Sequence, residues 1–97
     1  MRTLLRIRME TAASNAAVTD GTIQTALKAV GDALHPEAAY FYPDEGQRTA
    51  IFVFDMTDSS TIPSIVEPLF QTMNASITLS PVMNQEDLEK GLAAISS

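Results

Sequence analysis

A segment that is apolar on both of its faces limits most strongly how this chain can fold. Residues 48–56 are rich in β-branched and aromatic side chains, and within them Ile51–Phe54 is an unbroken apolar run. Successive side chains of a strand point to opposite faces of the sheet, so both faces of this strand need a cover. One layer of helices covers only one face, and the other face therefore needs a different partner.

Three further segments are predicted to be strands. The first covers about residues 2–10, where apolar and polar positions alternate with a period of two. One of its faces carries Thr3, Leu5, Ile7 and Met9, and the other carries Leu4, Arg6, Arg8 and Glu10. Residues 38–42 form a short aromatic strand, and residues 75–82 alternate again. Pro43–Gly46 is a four-residue turn signal, which predicts a hairpin between 38–42 and 48–56.

Helical spacing appears between these strands. A helix is predicted over about 13–34, a segment rich in alanine in which Ile23, Leu27, Val30 and Leu34 recur at helical spacing. Asp20-Gly21 lies inside this segment, so the helix alternatively starts late and is capped by Thr19 or Asp20. A second helix follows a cap at Asp58, Ser59 or Ser60 and extends to about 73, with a kink expected at Pro68. Asn84 and Asp87 resemble a capping arrangement before a short amphipathic helix with Leu88, Leu92 and Ile95.

This order of elements, β-α-β-β-α-β followed by a terminal helix, predicts one α+β domain over residues 1–97. It is the split βαβ arrangement of ferredoxin-like folds, with a four-stranded antiparallel sheet and two helices on one face. A second copy of the sheet, placed back to back, is the simplest cover for the other face. The sequence therefore predicts a homodimer.

The whole chain resembles the dimeric α+β barrel superfamily, and more closely an uncharacterised family of small bacterial proteins, some labelled pantothenate synthetase. The resemblance rests on Asn15-Ala16-Ala17, Asp20-Gly21, Pro36-Glu37-Ala38-Ala39-Tyr40-Phe41, Asp55-Met56, Ile62-Pro63, Glu67-Pro68, Asn74-Ala75-Ser76 and Pro81-Val82-Met83. It implies a dimeric barrel but no single activity, because the superfamily includes cofactor-free monooxygenases, isomerases, haem enzymes and proteins without known activity. The chain has one histidine and lacks the H-x-G-H signature of the labelled reaction.

Composition excludes several classes of function. Six Lys and Arg against twelve Asp and Glu give a net charge of −6, which argues against nucleic acid and anionic membranes as partners. No apolar stretch approaches the ~20 residues needed to cross a bilayer. With no Cys and only His35, we expect no metal site and no cofactor, and His35 is interpreted as a surface residue after a helix rather than as a haem ligand or general base. We expect a cytoplasmic protein.

Arg6 and Arg8 are the main candidates for a functional site. If Leu5 and Ile7 face the helices, both arginines point into the dimer barrel, where a guanidinium needs an anion. That anion is either a carboxylate of Glu10 or of a partner chain, or the carboxylate of a ligand. In the second case Tyr40, Tyr42, Phe52 or Phe54 would form an apolar wall, and Thr78 or Ser80 would be additional donors.

The predicted function is therefore that of a homodimer whose cavity binds, or also transforms, a small acidic or aromatic metabolite. The alternative is a regulatory or structural dimer without chemistry. A catalytic version needs a proton-transfer group, for which Tyr40, Tyr42, Glu10 and Asp55 are the candidates, and none of them belongs to a distinguishing motif.

Overall fold

The computed structural model of this chain describes residues 1–96, which form four strands and four α-helices. The strands are β1 (Arg2–Arg8), β2 (Ala38–Asp44), β3 (Gln47–Asp55) and β4 (Ser76–Pro81). The helices are α1 (Thr11–Asp20), α2 (Thr22–Leu34), α3 (Ile62–Met73) and α4 (Gln85–Ser96), and a 3-10 turn (Ser59–Thr61) precedes α3. The α+β class predicted from the sequence is confirmed.

All strand pairs are antiparallel, and the strands lie in one open sheet in the order β2-β3-β1-β4. The two outer strands are β2 and β4, so β1 and β3 are paired on both sides. This order is the one that a ferredoxin-like arrangement requires. The sequence-based prediction of a four-stranded antiparallel sheet is therefore confirmed.

The register divides the side chains between two faces. Leu5 is paired with Phe52 on β3 and Leu79 on β4, and Ile7 is paired with Ala50 and Ile77, so these residues share one face. That face packs against α1, α2 and α3. The core contains Leu5, Ile7, Met9, Ala17, Ile23, Val30, Ala50, Phe52, Phe54, Leu69, Met73 and Ala75. The helices therefore cover the side of β1 that carries Leu5 and Ile7, as expected.

The helix predicted over 13–34 is in fact two helices. Gly21 has φ of +81°, which ends α1, and its backbone N–H donates to the carbonyl of Val18. Only glycine adopts this conformation without a steric penalty. Asp20 Oδ1 then accepts a hydrogen bond from the backbone N of Thr22 at 2.9 Å, at the start of α2. The alternative expectation, a helix that starts late beside Asp20, applies to α2.

The hairpin turn is shorter than the four residues expected. β2 continues through Pro43 and Asp44, and only Glu45 and Gly46 form the turn, with φ of +51° and +79°. Two consecutive residues with positive φ match the right-handed twist of the flanking strands, which favours this tight connection. Pro43 is tolerated within β2 because an edge strand has one side without a hydrogen-bonded neighbour.

The two C-terminal helices form at the places where they were expected. α3 continues without a break through Pro68. Before α4, Asn84 Oδ1 accepts from the backbone N of Asp87 at 2.8 Å, and Asp87 Oδ2 accepts from the backbone N of Asn84 at 3.2 Å. This reciprocal pair is a capping box, and the predicted capping arrangement is confirmed. No helix within residues 1–96 is long and apolar enough to cross a membrane.

Candidate anion-binding face

The sheet face opposite α1, α2 and α3 carries most of the residues predicted to form a site, and we call it the open face. It presents Arg2, Leu4, Arg6 and Arg8 of β1, Ala38, Tyr40, Tyr42 and Asp44 of β2, Thr49, Ile51 and Val53 of β3, and Ser76, Thr78 and Ser80 of β4. Tyr40 is 63% exposed, and Leu4, Ile51 and Val53 are half-buried. The open face therefore combines apolar side chains with three arginines.

Arg6 lies near the middle of the open face. Its cross-strand neighbours are Ile51 on β3 and Thr78 on β4, and Leu4 and Arg8 lie on either side of it along β1. The Arg6 side chain is exposed, and within residues 1–96 it has neither a hydrogen bond nor an ion pair. A guanidinium offers five N–H donors in a planar fork that matches a carboxylate. All five N–H donors of Arg6 are therefore available for an anion.

Arg8, in contrast, is already paired within its own chain. Its Nη2 donates to Asp44 Oδ2, and its Nη1 lies 3.8 Å from Glu45 Oε2. The hydrogen bond that Arg8 donates to Asp44 and the negative charge of that carboxylate raise the pKa of Arg8 above its ordinary value. The ion pair considered for this arginine therefore exists, but its partner is Asp44 at the hairpin rather than Glu10.

Arg2 is also neutralised by carboxylates. Its Nε donates to Glu37 Oε1 at 2.6 Å, and its Nη1 donates to Asp87 Oδ2 at 2.7 Å. These contacts, with the Glu37 hydrogen bond as the largest cause, raise the pKa of Arg2. The sequence analysis did not single out Arg2, although its position on the same face as Arg6 follows from the period-two alternation. Of the three arginines on the open face, Arg6 is thus the one without a carboxylate partner in the described chain.

The structure brings four of the predicted polar and aromatic residues to the same face as Arg6. Tyr40 is paired with Ile51, so it lies two strands away from Arg6 in the same row. Tyr42 is 36% exposed and lies in the neighbouring row with Arg8. Thr78 is directly beside Arg6, and Ser80 is beside Leu4. Both hydroxyls lie on an edge strand and are exposed.

Phe52 and Phe54 do not lie on this face, so the expectation that one of them forms the wall beside the arginines is wrong. Phe52 is paired with Leu5 and Phe54 with Thr3, and they are 2% and 3% exposed within the core under the helices. Because β3 is apolar on both sides, its sequence alone could not show which side the helices cover. The apolar residues of β3 that accompany Arg6 are Ile51 and Val53.

Two of the four candidates for proton transfer have structural contacts. Glu10 Oε1 accepts from the backbone N of Ala12 at 2.9 Å and caps α1. Asp55 Oδ1 lies 2.6 Å from the N-terminal ammonium. The hydroxyls of Tyr40 and Tyr42 are the remaining candidates. His35 is exposed and occupies the left-handed C-cap position of α2, away from the open face. No group of three or more metal-ligating side chains occurs in the part of the chain that the structure describes.

Comparisons of the chain with protein-family models, with curated proteins and with solved structures found no match. The resemblance to the dimeric α+β barrel superfamily thus rests on the sequence motifs, together with an α+β fold and a four-stranded antiparallel sheet of the expected order. The comparisons give no support to the pantothenate synthetase label that some members of that family carry.

Proposed function

We propose that this protein is a cytoplasmic homodimer of the α+β barrel type, formed through the open faces of two copies, whose cavity binds a small acidic or aromatic metabolite. Arg6 would hold the carboxylate of the ligand by a bidentate pair of hydrogen bonds. Thr78 and Ser80 would add donors, and Tyr40 and Tyr42 would supply an aromatic wall. Arg8, paired with Asp44, would border the site rather than hold the ligand.

One observation carries this proposal: Arg6 lies at the centre of a half-buried apolar face without a carboxylate partner, whereas Arg2 and Arg8 both have one. Covering the open face would remove Arg6 from water. A desolvated guanidinium without an anion is costly, so a ligand carboxylate in that position would stabilise the covered state. Bidentate geometry makes such a contact both strong and selective for planar anions.

The apolar residues of the open face support a second copy as the cover. Leu4, Ile51 and Val53 form neighbouring positions on β1 and β3, and Tyr40 extends the patch onto β2. Contiguous exposed apolar surface on a sheet commonly marks an interface. A two-fold axis would place the same residues of two copies against each other, and would enclose Arg6 of each copy between the sheets.

We favour binding without chemistry as the form of this function, because two of the four candidate proton-transfer groups have structural contacts. Glu10 is used as a helix cap, and Asp55 is paired with the N-terminal ammonium. Tyr40 and Tyr42 would therefore have to carry any proton transfer. The alternative, a regulatory or structural dimer, would need no proton-transfer group.

A thermal-shift screen of small carboxylates, phosphates and aromatic acids tests the role of Arg6. We expect at least one carboxylate to raise the melting temperature of the parent protein, because a ligand at 100 times its dissociation constant stabilises the folded state by about 2.7 kcal/mol. Arg6→Ala should lose this increase. Arg6→Lys should lose most of it, since lysine keeps the charge but not the planar fork.

Lys28→Ala is the matched control, because it also removes one cation but lies on the exposed surface of α2, where Lys28 pairs with Asp32. Its response to the anion should equal that of the parent. The proposed anion site is wrong if no anion raises the melting temperature of the parent. It is equally wrong if the same anion stabilises Arg6→Ala and the parent to the same extent.

A further inference from the structure

The apolar side of α4 is not covered by the rest of the described chain. Leu88, Leu92 and Ile95 recur at spacings of four and three residues, so they form one stripe along the helix. They are 43%, 55% and 81% exposed, and no residue of α4 is buried. We call these three residues the α4 stripe. Each of them is an apolar side chain that gains free energy when it leaves water.

A helix of this length needs a partner surface. Isolated helices shorter than ~12–15 residues are marginal in water, and α4 has 12 residues. α4 contacts the sheet through Asp87, whose Oδ2 accepts a hydrogen bond from Arg2 Nη1 at 2.7 Å. The described chain measures 55 × 29 × 17 Å, an elongated shape for a domain of this size. These features are typical of a helix that packs against another molecule.

The attachment point of α4 lies on the open face. Arg2 shares that face with Leu4 and Arg6, and its contact with Asp87 holds the first turn of α4 at this end of β1. The same open face is the one that the proposed dimer would bury. A second copy placed on it would therefore come next to the first turn of α4.

The size of the open face also argues for an additional contact. Four strands about 4.8 Å apart, which are six to nine residues long, span a plane roughly 19 Å wide and about 20–30 Å long at ~3.3 Å per residue. A stable interface buries about 800 Å² of accessible surface on each partner. Because side chains protrude from the sheet, the accessible surface of the open face is larger than this planar area. A sheet this small still gives a weak interface on its own. α4 adds a surface about 18 Å long beside it.

Charge favours a second copy of this chain over other partners. The open face carries Arg2, Arg6 and Arg8, which are three of the six basic residues of an acidic protein. α4 carries three carboxylates, Glu86, Asp87 and Glu89, against the single cation Lys90. Arg2 and Arg8 are already paired with carboxylates, so Arg6 is the cation of the open face whose charge an acidic helix of another copy would offset, which lowers the repulsion between two chains that each have a net charge of −6.

We infer that α4 of each copy packs the α4 stripe against the sheet of a second copy and closes the Arg2 end of the interface between them. This inference rests on the proposed homodimer. It adds that the dimer is incomplete without α4, because the helix supplies apolar area that the sheets lack. It also places one wall of the proposed cavity on the other subunit.

Two full-length variants test this contact by sedimentation equilibrium. Leu92→Glu places a carboxylate in the α4 stripe, and Ala93→Glu places the same charge one position away, where the side chain points about 100° from Leu92. We expect Leu92→Glu to raise the dimer dissociation constant by at least ~10-fold, since a carboxylate must then be desolvated in the interface. Ala93→Glu should change the constant by less than about threefold, as expected of a rim charge.

Hydrogen exchange of the parent protein at concentrations below and above its dissociation constant gives a second readout. Peptides from α4 should exchange more slowly in the dimer than in the monomer. Equal dissociation constants for Leu92→Glu and Ala93→Glu would overturn the role of α4 and leave the sheet dimer intact. Protection of α4 that does not depend on concentration would also overturn it, since its own chain would then cover the stripe. A parent that stays monomeric at high concentration would refute both the inference and the proposed dimer.

Discussion

At the scale of single residues, three arginines on one strand face have different roles because of what the neighbouring backbone brings to them. The tight turn at Glu45-Gly46 places Asp44 and Glu45 beside Arg8. Arg2 reaches Glu37 at the start of β2 and Asp87 at the start of α4. Arg6 lies between Ile51 and Thr78, where the register offers no carboxylate. Position in the sheet, rather than residue type, therefore makes Arg6 the candidate for ligand binding.

Gly21 offers a residue-scale prediction about the break between α1 and α2. An added Cβ would meet no atom within 4 Å, so the effect of Gly21→Ala comes from the backbone alone. At φ of +81° an alanine is strained, and we expect a loss of about 1–2 kcal/mol in the free energy of unfolding. Urea unfolding followed by circular dichroism measures this loss.

Gly31→Ala is the control for that experiment. Gly31 lies within α2, and a Cβ there also meets no atom within 4 Å, but its φ is not positive. Alanine should therefore stabilise the helix by up to about 1 kcal/mol. A Gly21→Ala variant that is as stable as Gly31→Ala would show that the left-handed conformation at residue 21 is not required.

At the scale of elements, the sequence was sufficient to predict all four strands, because period-two and helical patterns reflect which side chains are buried. It was insufficient at the boundary between α1 and α2. The alanine-rich residues before Gly21 are as compatible with a helix as those after it, so one helix was expected where a single positive φ makes two. It was also insufficient for the faces of β3, where Phe52 and Val53 are both apolar. Only pairing with Leu5 and Leu4 of β1 decides which of them meets the helices.

The aromatic pair between β2 and β3 tests this assignment of faces. Phe41 and Phe52 meet edge to face, with ring centroids 5.9 Å apart. Phe52 is 2% exposed and Phe41 is 61% exposed. We expect Phe52→Ala to lower the free energy of unfolding by about 3–5 kcal/mol, because it leaves a cavity in the core. Phe41→Ala should cost only about 0.5–1.5 kcal/mol, mainly the ring contact. Equal losses in urea unfolding would contradict the assignment of Phe52 to the core.

At the scale of the whole molecule, the helices cover one side of the sheet and leave for assembly a partly apolar side that carries three arginines, of which Arg6 alone lacks a carboxylate partner within residues 1–96. Half of the six Lys and Arg residues lie on the open face, although the net charge of the chain is −6. The same face carries the half-buried Leu4, Ile51 and Val53. Dimerisation through this face, ligand binding at Arg6 and docking of α4 would therefore be linked, since each of them covers part of the same surface.

This linkage leads to a prediction about thermal stability. If folding and dimerisation are coupled, the melting temperature of the parent should rise by a few degrees for each tenfold rise in protein concentration, because a tenfold change shifts the free energy by about 1.4 kcal/mol.

Val53→Asp places a carboxylate on the open face between Leu4 and Ala38. The monomer should tolerate it, whereas the dimer would have to bury it without a partner. We therefore expect Val53→Asp to stay folded by circular dichroism and to lose the dependence on concentration. Ala39→Asp adds the same charge at the exposed edge of β2 and should behave as the parent. A melting temperature of Val53→Asp that still rises with concentration as the parent's does would place the dimer interface elsewhere on the molecule.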